Sequence, residues 1–339
     1  MPAKILLDPE PRILEDIFYP QRLAQLKLDF ELIEVDTADR DAFYNHHVRD
    51  ADFIIGQPTL NSAQLSSANK LKAIFNVESN FMDNMDYEIC FSRGIHVLSV
   101  SPVFAQPVAE LGIGLALSLL RDIPQSHQAF VEKRETYGLE SNQQAKLLSQ
   151  CTVGYIGFGD LGRALHQLIR GFGSSCIAHD PWLPDAMLLQ HGIKPLSLNE
   201  VLQQSDVVFV LATVTTENQR FVDAEKLALM PDGSALILLS RAAVLDFAAL
   251  QQELNKGRLW AATDVFDEEP LPPEHPLRST PNLILSAHRA GALDHAFRQM
   301  GELVYDDLLL LSKGLPPARC KRAERETVMR MRSMPVDKS

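Results

Sequence analysis

Three polar residues in the second half of the chain stand at or near the ends of apolar runs that are typical of buried β-strands. Arg241 and His288 come shortly after such runs, and Glu269 lies in the segment D-V-F-D-E-E-P. An arginine can hold a carboxylate by two hydrogen bonds and polarise a neighbouring carbonyl. A histidine can move a hydroxyl proton, and a carboxylate on its second ring nitrogen would fix its tautomer. Since the carboxyl ends of parallel strands line one crevice, we predict that these side chains converge.

Each of the three residues also has an ordinary structural interpretation. Arg241 can be a surface cation, and Glu269 can be one solvated carboxylate among its acidic neighbours. His288 is one of ten histidines, and most single histidines have structural roles. The prediction of a catalytic group therefore depends on the three positions together, and spacing alone does not prove it.

A phosphate-binding pattern lies upstream of these residues. The apolar run 153–156 is followed by Gly157, Gly159 and Gly162 in the spacing G-x-G-x-x-G, and a helical pattern comes next. The first glycine of such a motif allows a sharp turn, the second lets the backbone approach a pyrophosphate, and the third lets the helix pack on the strand. The free N–H groups at the start of the helix would hold the phosphates. The motif alone also marks ordinary turns, but its flanking strand and helix favour a dinucleotide site.

The dinucleotide is predicted to be NAD rather than NADP. Asp180 ends the next apolar run and can accept hydrogen bonds from both hydroxyl groups of an adenosine ribose. A carboxylate there would repel a 2′-phosphate, and the Pro-Trp-Leu that follows offers no cation to pair with one. The candidate cofactor contacts are Gly157, Phe158, Gly159, Asp160, Leu161, Gly162 and Asp180, with Ala212 and Thr213 in the loop after the strand predicted at 207–211.

The length and composition of the chain exclude several classes of protein. The chain has 339 residues, enough for about two domains, and its net charge of −12 argues against nucleic acid as a partner. The four cysteines are widely spaced, which suits neither a metal site nor a disulfide framework. The first residues contain too short an apolar run for a signal peptide, and the longest apolar run, 111–120, is about half a membrane span. We therefore expect a soluble cytoplasmic protein with no membrane or nucleic-acid partner.

Short apolar runs alternate with polar, helix-compatible segments along both halves of the chain. This βαβ pattern predicts an α/β fold with parallel sheets that are covered on both faces. The segment 108–121 is apolar all round, which predicts a buried helix between domains or at a subunit contact. A second long helical pattern, 293–312, is expected to return to the first domain.

At these residues the chain resembles the D-isomer-specific 2-hydroxyacid dehydrogenases. The resemblance runs from about residue 70 to residue 314 and is dense at the glycine motif, 240–246, 264–270 and 287–288. It implies NAD-dependent hydride transfer between a D-2-hydroxy acid and its 2-keto acid. In these roles His288 is the general acid and base, Glu269 supports it, and Arg241 orients the substrate carboxylate. It also implies that Asp264 contacts the nicotinamide carboxamide.

The resemblance further implies two Rossmann-like doubly wound domains with the active-site cleft between them, and a homodimer built on the cofactor domains. We assign residues 1–100 and 290–318 to a flavodoxin-like, substrate-binding domain and residues 101–289 to the NAD-binding domain. Residues 319–339 are rich in arginine and are predicted to form an exposed basic arm.

The chain departs from the family pattern on the substrate side. Ala287 and Arg289 flank the histidine in place of a proline and an apolar residue, and Thr213 replaces a usual proline. The loop after the strand at 71–77 lacks the glycine-rich turn whose N–H groups bind the substrate carboxylate. It offers Glu78, Ser79 and Asn80 as candidate substrate contacts instead.

Two interpretations of this loop stay open. Glu78 would repel a substrate carboxylate unless it is turned away or protonated, so the substrate can be a larger or less anionic acid than lactate, glycerate or glyoxylate. Alternatively, the loop uses a different turn and the substrate class is unchanged. Two other functions are also compatible with the sequence: a phosphonate- or formate-type dehydrogenase of the same family, and an NAD(H)-sensing, corepressor-like binding protein without catalysis.

Overall fold

The computed structural model describes residues 2–78 and 80–331. Its strands are β1 Lys4–Asp8, β2 Glu31–Glu34, β3 Phe53–Gly56, β4 Ala73–Asn76, β5 His96–Ser99, β6 Thr152–Ile156, β7 Ser175–His179, β8 Lys194–Pro195, β9 Val207–Val210, β10 Ser234–Leu238, β11 Leu259–Thr263, β12 Leu283–Leu285 and β13 Lys321–Arg322. Its helices are α1 Leu14–Ile17, α2 Pro20–Asp29, α3 Arg40–His47, α4 Ser62–Ser67, α5 Tyr87–Ser92, α6 Ala105–Leu120, α7 Ile123–Val131, α8 Asp160–Ile169, α9 Asp185–Gln190, α10 Leu198–Gln204, α11 Ala224–Ala228, α12 Phe247–Asn255, α13 Asp294–Ser312 and α14 Arg325–Val328.

The chain forms two compact units. Unit 1 consists of residues 1–103 and 292–339, and unit 2 consists of residues 104–291. Each unit is built on one largely parallel sheet with helices between its strands, which confirms the predicted α/β class with two doubly wound sheets. Unit 1 is discontinuous in sequence because α13 packs on α1 and α2 after the chain leaves unit 2.

The sheet of unit 1 has the strand order β13-β5-β4-β3-β1-β2. Its five long strands are parallel and follow a flavodoxin-like order, and β13 joins the β5 edge in antiparallel orientation. The central strands are buried on both faces, which explains why β3 and β4 read as continuous apolar runs rather than alternating ones. Their carboxyl ends carry the loops in which the sequence predicts substrate contacts.

The prediction of an exposed arm after residue 318 is wrong for residues 320–331. Lys321 and Arg322 pair with β5, and Cys320, Ala323 and Val328 are buried against unit 1. Without this pairing β5 would present unsatisfied backbone groups at the edge of the sheet. The sequence does not indicate this edge strand, because a segment rich in arginine is typical of an exposed arm. The charged side chains of Lys321 and Arg322 are indeed exposed, but their backbone pairs with β5. The last part of the predicted arm, 332–339, lies outside the described residues.

A buried carboxylate fastens this C-terminal segment. Asp307 on α13 is fully buried, and it accepts hydrogen bonds from the backbone N–H groups of Ala318 at 2.7 Å, Arg319 at 2.9 Å and Cys320 at 2.8 Å. Several hydrogen bonds compensate the desolvation of a buried carboxylate, which would otherwise be strongly unfavourable. Asp307 therefore directs the chain from α13 towards β13.

The sheet of unit 2 has the strand order β12-β11-β10-β9-β6-β7-β8, and all of its pairs are parallel. The sequence predicts each of these strands except β8 and β11. Strand β11 reads L-W-A-A-T, and alanine is a weak strand former, so the local signal is poor. In the structure both alanines are fully buried, and β11 packs against α6.

Helix α6 is the buried helix that the apolar segment predicts. Seven of its residues are buried, and the helix packs on α8 and on β10 and β11. Gly112 makes this packing close, since a Cβ there would lie 2.7 Å from Cδ1 of Leu239. By length and hydropathy alone, residues 101–120 form the one helical stretch among the described residues that could cross a membrane. Its buried residues pack inside unit 2, as those of a core helix do.

The hydrogen bonds that Asp307 accepts lead to a prediction about stability. Replacing Asp307 with alanine leaves three backbone donors without their acceptor, so Asp307→Ala should lower the free energy of unfolding of unit 1 by about 3 kcal/mol. Urea denaturation followed by circular dichroism measures this change.

The matched control is the neighbouring Asp306→Ala. Asp306 forms a partly exposed ion pair with Arg319 at 3.3 Å, so its loss should change the free energy of unfolding by less than about 0.5 kcal/mol. If both variants lost the same free energy of unfolding, the buried hydrogen bonds of Asp307 would contribute no more to stability than a surface ion pair.

Candidate active site

Three neighbouring strands of unit 2 end at the predicted catalytic residues. Arg241 lies beyond the end of β10, Glu269 lies in the loop after β11, and His288 lies in the loop after β12. Strand β11 is paired with β10 on one side and with β12 on the other, in parallel. The three carboxyl ends therefore meet at one edge of the sheet, and the structure brings the three side chains together there.

The histidine and the glutamate are in direct contact. Nδ1 of His288 lies 2.6 Å from Oε2 of Glu269, and Oε1 of Glu269 accepts the N–H of Phe266 at 2.8 Å. With Nδ1–H donated to the carboxylate, Nε2 of His288 is the ring nitrogen that can exchange a proton with a ligand. Both side chains are about a quarter exposed, so the pair is accessible without being fully solvated.

The glutamate stays ionised in this setting. Desolvation is the largest influence on its pKa and acts to raise it. The hydrogen bonds from His288 and Phe266, together with the positive charge of Arg241, outweigh desolvation and hold the pKa of Glu269 below the usual glutamate value. The carboxylate is therefore charged at neutral pH and can stabilise a protonated His288.

Arg241 supplies a positive charge next to this pair. Its Nη1 donates a hydrogen bond to the carbonyl oxygen of Ser240 at 2.7 Å, which fixes one end of the guanidinium group. Burial lowers the pKa of Arg241, and the negative charge of Glu269 partly offsets that effect. Arginine titrates so far above neutrality that the guanidinium remains charged, and its other N–H groups suit a substrate carboxylate.

Asp264 clamps the loop that carries His288. Its carboxylate accepts hydrogen bonds from the hydroxyl group of Ser286 and from the N–H groups of Arg289 at 3.0 Å and Ala290 at 2.9 Å. These donors lie on both sides of His288, whose φ of 46° is in the left-handed region. The clamp holds this strained backbone in place, which the sequence does not reveal. Asp264 is only 1% exposed, so its predicted contact with a nicotinamide carboxamide stays a prediction.

The glycine motif has the geometry of a phosphate cradle. A Cβ on Gly157, whose φ is 90°, would lie 2.8 Å from the backbone nitrogen of Ala212, so only glycine fits there. A Cβ on Gly159 would meet no atom within 4 Å, which leaves open space at the start of α8. A Cβ on Gly162 would lie 3.0 Å from the carbonyl oxygen of Gly157. Gly157 and Gly162 therefore serve the turn and the helix–strand packing that the sequence predicts, and the open space at Gly159 leaves room for the ligand approach, which stays a prediction.

Asp180 connects the end of β7 to the glycine motif. Its Oδ2 accepts the N–H of Phe158 at 2.7 Å, and its Oδ1 accepts the N–H of Trp182 at 2.9 Å. Each carboxylate oxygen can accept a second hydrogen bond, so Asp180 can fix the glycine loop and still receive ribose hydroxyl groups. Asp160 and Leu161 begin α8 directly after Gly159.

The loop after β9 is braced by a residue that sequence reasoning missed. Nδ2 of Asn218 donates to the carbonyl oxygen of Thr213 at 2.7 Å, and its Oδ1 accepts the N–H of Thr215 at 2.7 Å. The close approach of Ala212 to Gly157 places the start of this loop beside the phosphate cradle. Ala212 thus lies beside the glycine motif, and the contacts of Ala212 and Thr213 with a dinucleotide stay predictions.

Besides Arg241 and His288 in unit 2, the candidate substrate residues lie in unit 1, in the loop after β4. Glu78 is buried and faces Arg12, while the carbonyl oxygen of Asn80 accepts a hydrogen bond from Nδ2 of Asn76. The sequence left open that Glu78 is turned away from a substrate carboxylate, and its side chain is indeed buried beside Arg12. The contacts of Glu78 and Asn80 with a substrate stay predictions. Ser79 lies outside the described residues.

Comparison with known proteins identifies the family. Residues 113–290 match the D-isomer specific 2-hydroxyacid dehydrogenase NAD binding domain. The fold is similar to the crystal structure of a phosphoglycerate oxidoreductase from Rhizobium etli, with 47% identity, a TM-score of 0.88 and coverage of 96% of this chain and 99% of that one.

Curated relatives have the same family character. A glyoxylate reductase from Thermofilum pendens is 30% identical over 284 residues, which cover 80% of this chain and 82% of the relative. A D-3-phosphoglycerate dehydrogenase from Methanocaldococcus jannaschii is 27% identical over 271 residues, which cover 79% of this chain but only 51% of that longer protein. This chain belongs to the D-isomer-specific 2-hydroxyacid dehydrogenase family.

Proposed function

We propose that this protein is an NAD(H)-dependent oxidoreductase that interconverts a D-2-hydroxy acid and its 2-keto acid. The observation that carries the proposal is the 2.6 Å contact between His288 and Glu269 beside the charge of Arg241. This group stands at the same edge of the parallel sheet as the glycine motif after β6. One edge of unit 2 therefore offers both a dinucleotide cradle and groups for moving a proton.

The side chains divide the chemistry between them. Bound NAD(H) supplies the group that accepts or donates the hydride. Nε2 of His288 gives a proton to the carbonyl oxygen during reduction and takes it from the hydroxyl group during oxidation. Glu269 holds the ring tautomer and stabilises the protonated ring, and Arg241 binds the carboxylate and polarises the carbonyl group.

The two alternative functions, an NAD(H) sensor and a phosphonate- or formate-type dehydrogenase, fit these observations less well. A protein that only senses the cofactor has no need of a histidine held by a partly buried carboxylate next to an arginine. The names of the relatives also favour small 2-hydroxy and 2-keto acids over phosphonate or formate, since they include glyoxylate reductases and D-3-phosphoglycerate dehydrogenases.

A direct assay tests the function. NADH oxidation should be measured with glyoxylate, hydroxypyruvate, pyruvate and larger 2-keto acids. Turnover of at least one acid is expected, whereas NADH binding without turnover of any acid would favour the sensor. Efficient turnover of all three small acids would refute the hypothesis that the altered loop after β4 excludes them.

Substitution of the histidine tests the acid–base assignment. His288→Ala should lower kcat by roughly a hundredfold or more while NADH affinity stays close to the wild-type value, because a general acid–base contributes about that factor. Steady-state kinetics and NADH fluorescence titration measure the two quantities.

The adjacent glutamates provide a matched pair of variants. Glu269→Gln removes the charged partner of His288 and should lower kcat, whereas Glu268→Gln changes an exposed neighbour and should leave it within about twofold. If Glu269→Gln and Glu268→Gln behaved alike, Glu269 would have no part in the reaction.

The glycine motif generates a prediction that separates cofactor binding from folding. Gly159→Ala adds a methyl group to open space in the protein, where the pyrophosphate is expected to approach. Thermal stability should change little, while the Kd for NADH should rise by about tenfold or more, the effect of losing about 1.4 kcal/mol of binding. NADH fluorescence titration and thermal denaturation measure the two effects.

The comparison variant is Gly157→Ala, which combines an unfavourable φ of 90° with a 2.8 Å approach to Ala212. It should destabilise the fold as well as weaken NADH binding. Tight NADH binding by Gly159→Ala would show that the phosphates do not approach there.

We also propose that the protein is a homodimer assembled through unit 2. Residues 123–147 expose several large apolar side chains, among them Phe130 at 60% and Leu139 at 80% exposure. A group of this size on one segment is typical of a protein–protein interface. The double substitution Phe130→Ser and Leu139→Ser should give a monomer by light scattering, and Leu28→Ser, which changes an exposed leucine of unit 1, should not. A monomeric wild-type protein would refute the proposal.

A cytoplasmic location is proposed on the state of the cysteines. All four cysteines are free, and three of them are buried. Burial raises the pKa of the Cys90 thiol to about 12, so this thiol stays protonated and unreactive. This chemistry suits a reducing compartment. Cell fractionation followed by immunoblotting would test it, and recovery in a secreted fraction would contradict it.

A further inference from the structure

The loop after β4 contains an unusual buried charge. Glu78 stands where family resemblance places the backbone turn that holds the substrate carboxylate. Its side chain is only 3% exposed, and its Oε1 has no hydrogen-bond donor among the residues that the structure describes. An unpaired buried carboxylate would be strongly unfavourable, and it would also repel an anionic substrate nearby. Something else in unit 1 must compensate this charge.

Arg12 supplies the compensating charge from the loop after β1. Its Nε lies 2.8 Å from Oε1 of Glu78, and the arginine side chain is only 11% exposed. The Nε–H group is directed at the carbonyl oxygen of Val77 at 3.1 Å, so the contact with Glu78 is one of charge rather than an aligned hydrogen bond. The guanidinium also lies over the ring of Phe297 at 4.6 Å, which holds it in place.

Two amide side chains complete the support of the loop. Oε1 of Gln57 accepts the N–H of Val77 at 3.2 Å, and Oδ1 of Asn76 accepts the N–H of Glu78 at 2.9 Å. These two N–H groups are therefore already engaged inside unit 1. The side chains of Gln57 and Asn76 therefore hold the shape of this turn, whereas the family pattern forms the turn with glycines.

We propose that Arg12 is a positioning and charge-compensating residue for substrate binding, an inference that rests on the proposed 2-hydroxy acid function. Arg12 neutralises Glu78 and fixes the loop through Val77, so that the glutamate does not repel a substrate carboxylate that binds near the loop. The apparent conflict between an acidic loop and an acidic substrate is resolved within unit 1. The substrate class can then remain that of simple anionic 2-keto acids.

The test compares four proteins: wild type, Arg12→Leu, Glu78→Gln and the double variant R12L/E78Q. Arg12→Leu leaves a lone carboxylate in the loop and should raise KM for the best panel acid by about tenfold or more, as repulsion between like charges in a partly buried site predicts. Its kcat should stay within about threefold, because His288 and Arg241 are unchanged. The double variant removes both charges and should recover most of the lost affinity.

A matched control separates this effect from a general loss of stability. Arg22 of unit 1 has the same two types of partner in a more exposed setting: it pairs with Glu302 at 2.7 Å and lies over the ring of Tyr305 at 4.3 Å. Arg22→Leu therefore also loses an ion pair with a glutamate and a contact with an aromatic ring in unit 1, outside the loop after β4, and its KM should match wild type. Thermal denaturation of each variant reports the stability change, and NADH titration should show unchanged cofactor affinity.

Three results would overturn the inference: an Arg12→Leu KM within twofold of wild type, a double variant as impaired as Arg12→Leu, or an equal rise in KM in Arg22→Leu. The proposed function fails separately, since a wild-type protein that turns over no acid of the panel refutes that function. Wild-type turnover with an unchanged Arg12→Leu KM refutes only the role of Arg12.

Discussion

His288 and Glu269 meet at 2.6 Å across nineteen positions of chain, and neither loop could hold its residue there alone. The contact depends on β10, β11 and β12 being parallel and adjacent, because only then do the loops after β11 and β12 leave the sheet side by side. It depends also on Asp264, which fixes the backbone on both sides of the histidine. A strained φ at His288 persists because three donors converge on one buried carboxylate.

Buried carboxylates recur as local organisers in this protein, and each is compensated in a different way. Asp264 and Asp307 accept hydrogen bonds from backbone N–H groups, and Asp264 also accepts one from a serine hydroxyl group. Each of these carboxylates fixes a segment that has no regular secondary structure. Glu78 is instead compensated by a guanidinium. The difference has a consequence for substitution. A carboxylate that accepts several backbone bonds fixes geometry, whereas one that faces an arginine can be removed together with its partner.

The sequence predicts those parts of the site that depend on local pattern. The positions of Arg241 and His288 after apolar runs, and the spacing of Gly157, Gly159 and Gly162, follow from residues that are close together in the chain. The contacts that it missed are long-range. The donors to Asp264 lie 22 to 26 positions away, and Arg12 reaches the carbonyl oxygen of Val77 across 65 positions. No window of sequence contains both partners, so propensity and periodicity do not reveal them. Strand β11 was missed for a different reason, since its alanines are selected by packing under α6 rather than by strand propensity.

The two turns at which the sequence predicts ligand contacts illustrate why the structure of one turn was predictable and that of the other was not. At the cofactor motif, a methyl group at Gly157 would meet the backbone of the neighbouring loop, so the constraint allows one residue type and leaves a visible pattern. In the loop after β4, the backbone is held by the side chains of Gln57, Asn76 and Arg12, which come from three separate strand ends. Many combinations of residues can brace a turn in this way, so no fixed motif marks it. The loop after β4 is consequently free to change its residues while its shape is kept, and the charge of each new buried residue must be compensated from elsewhere in the unit.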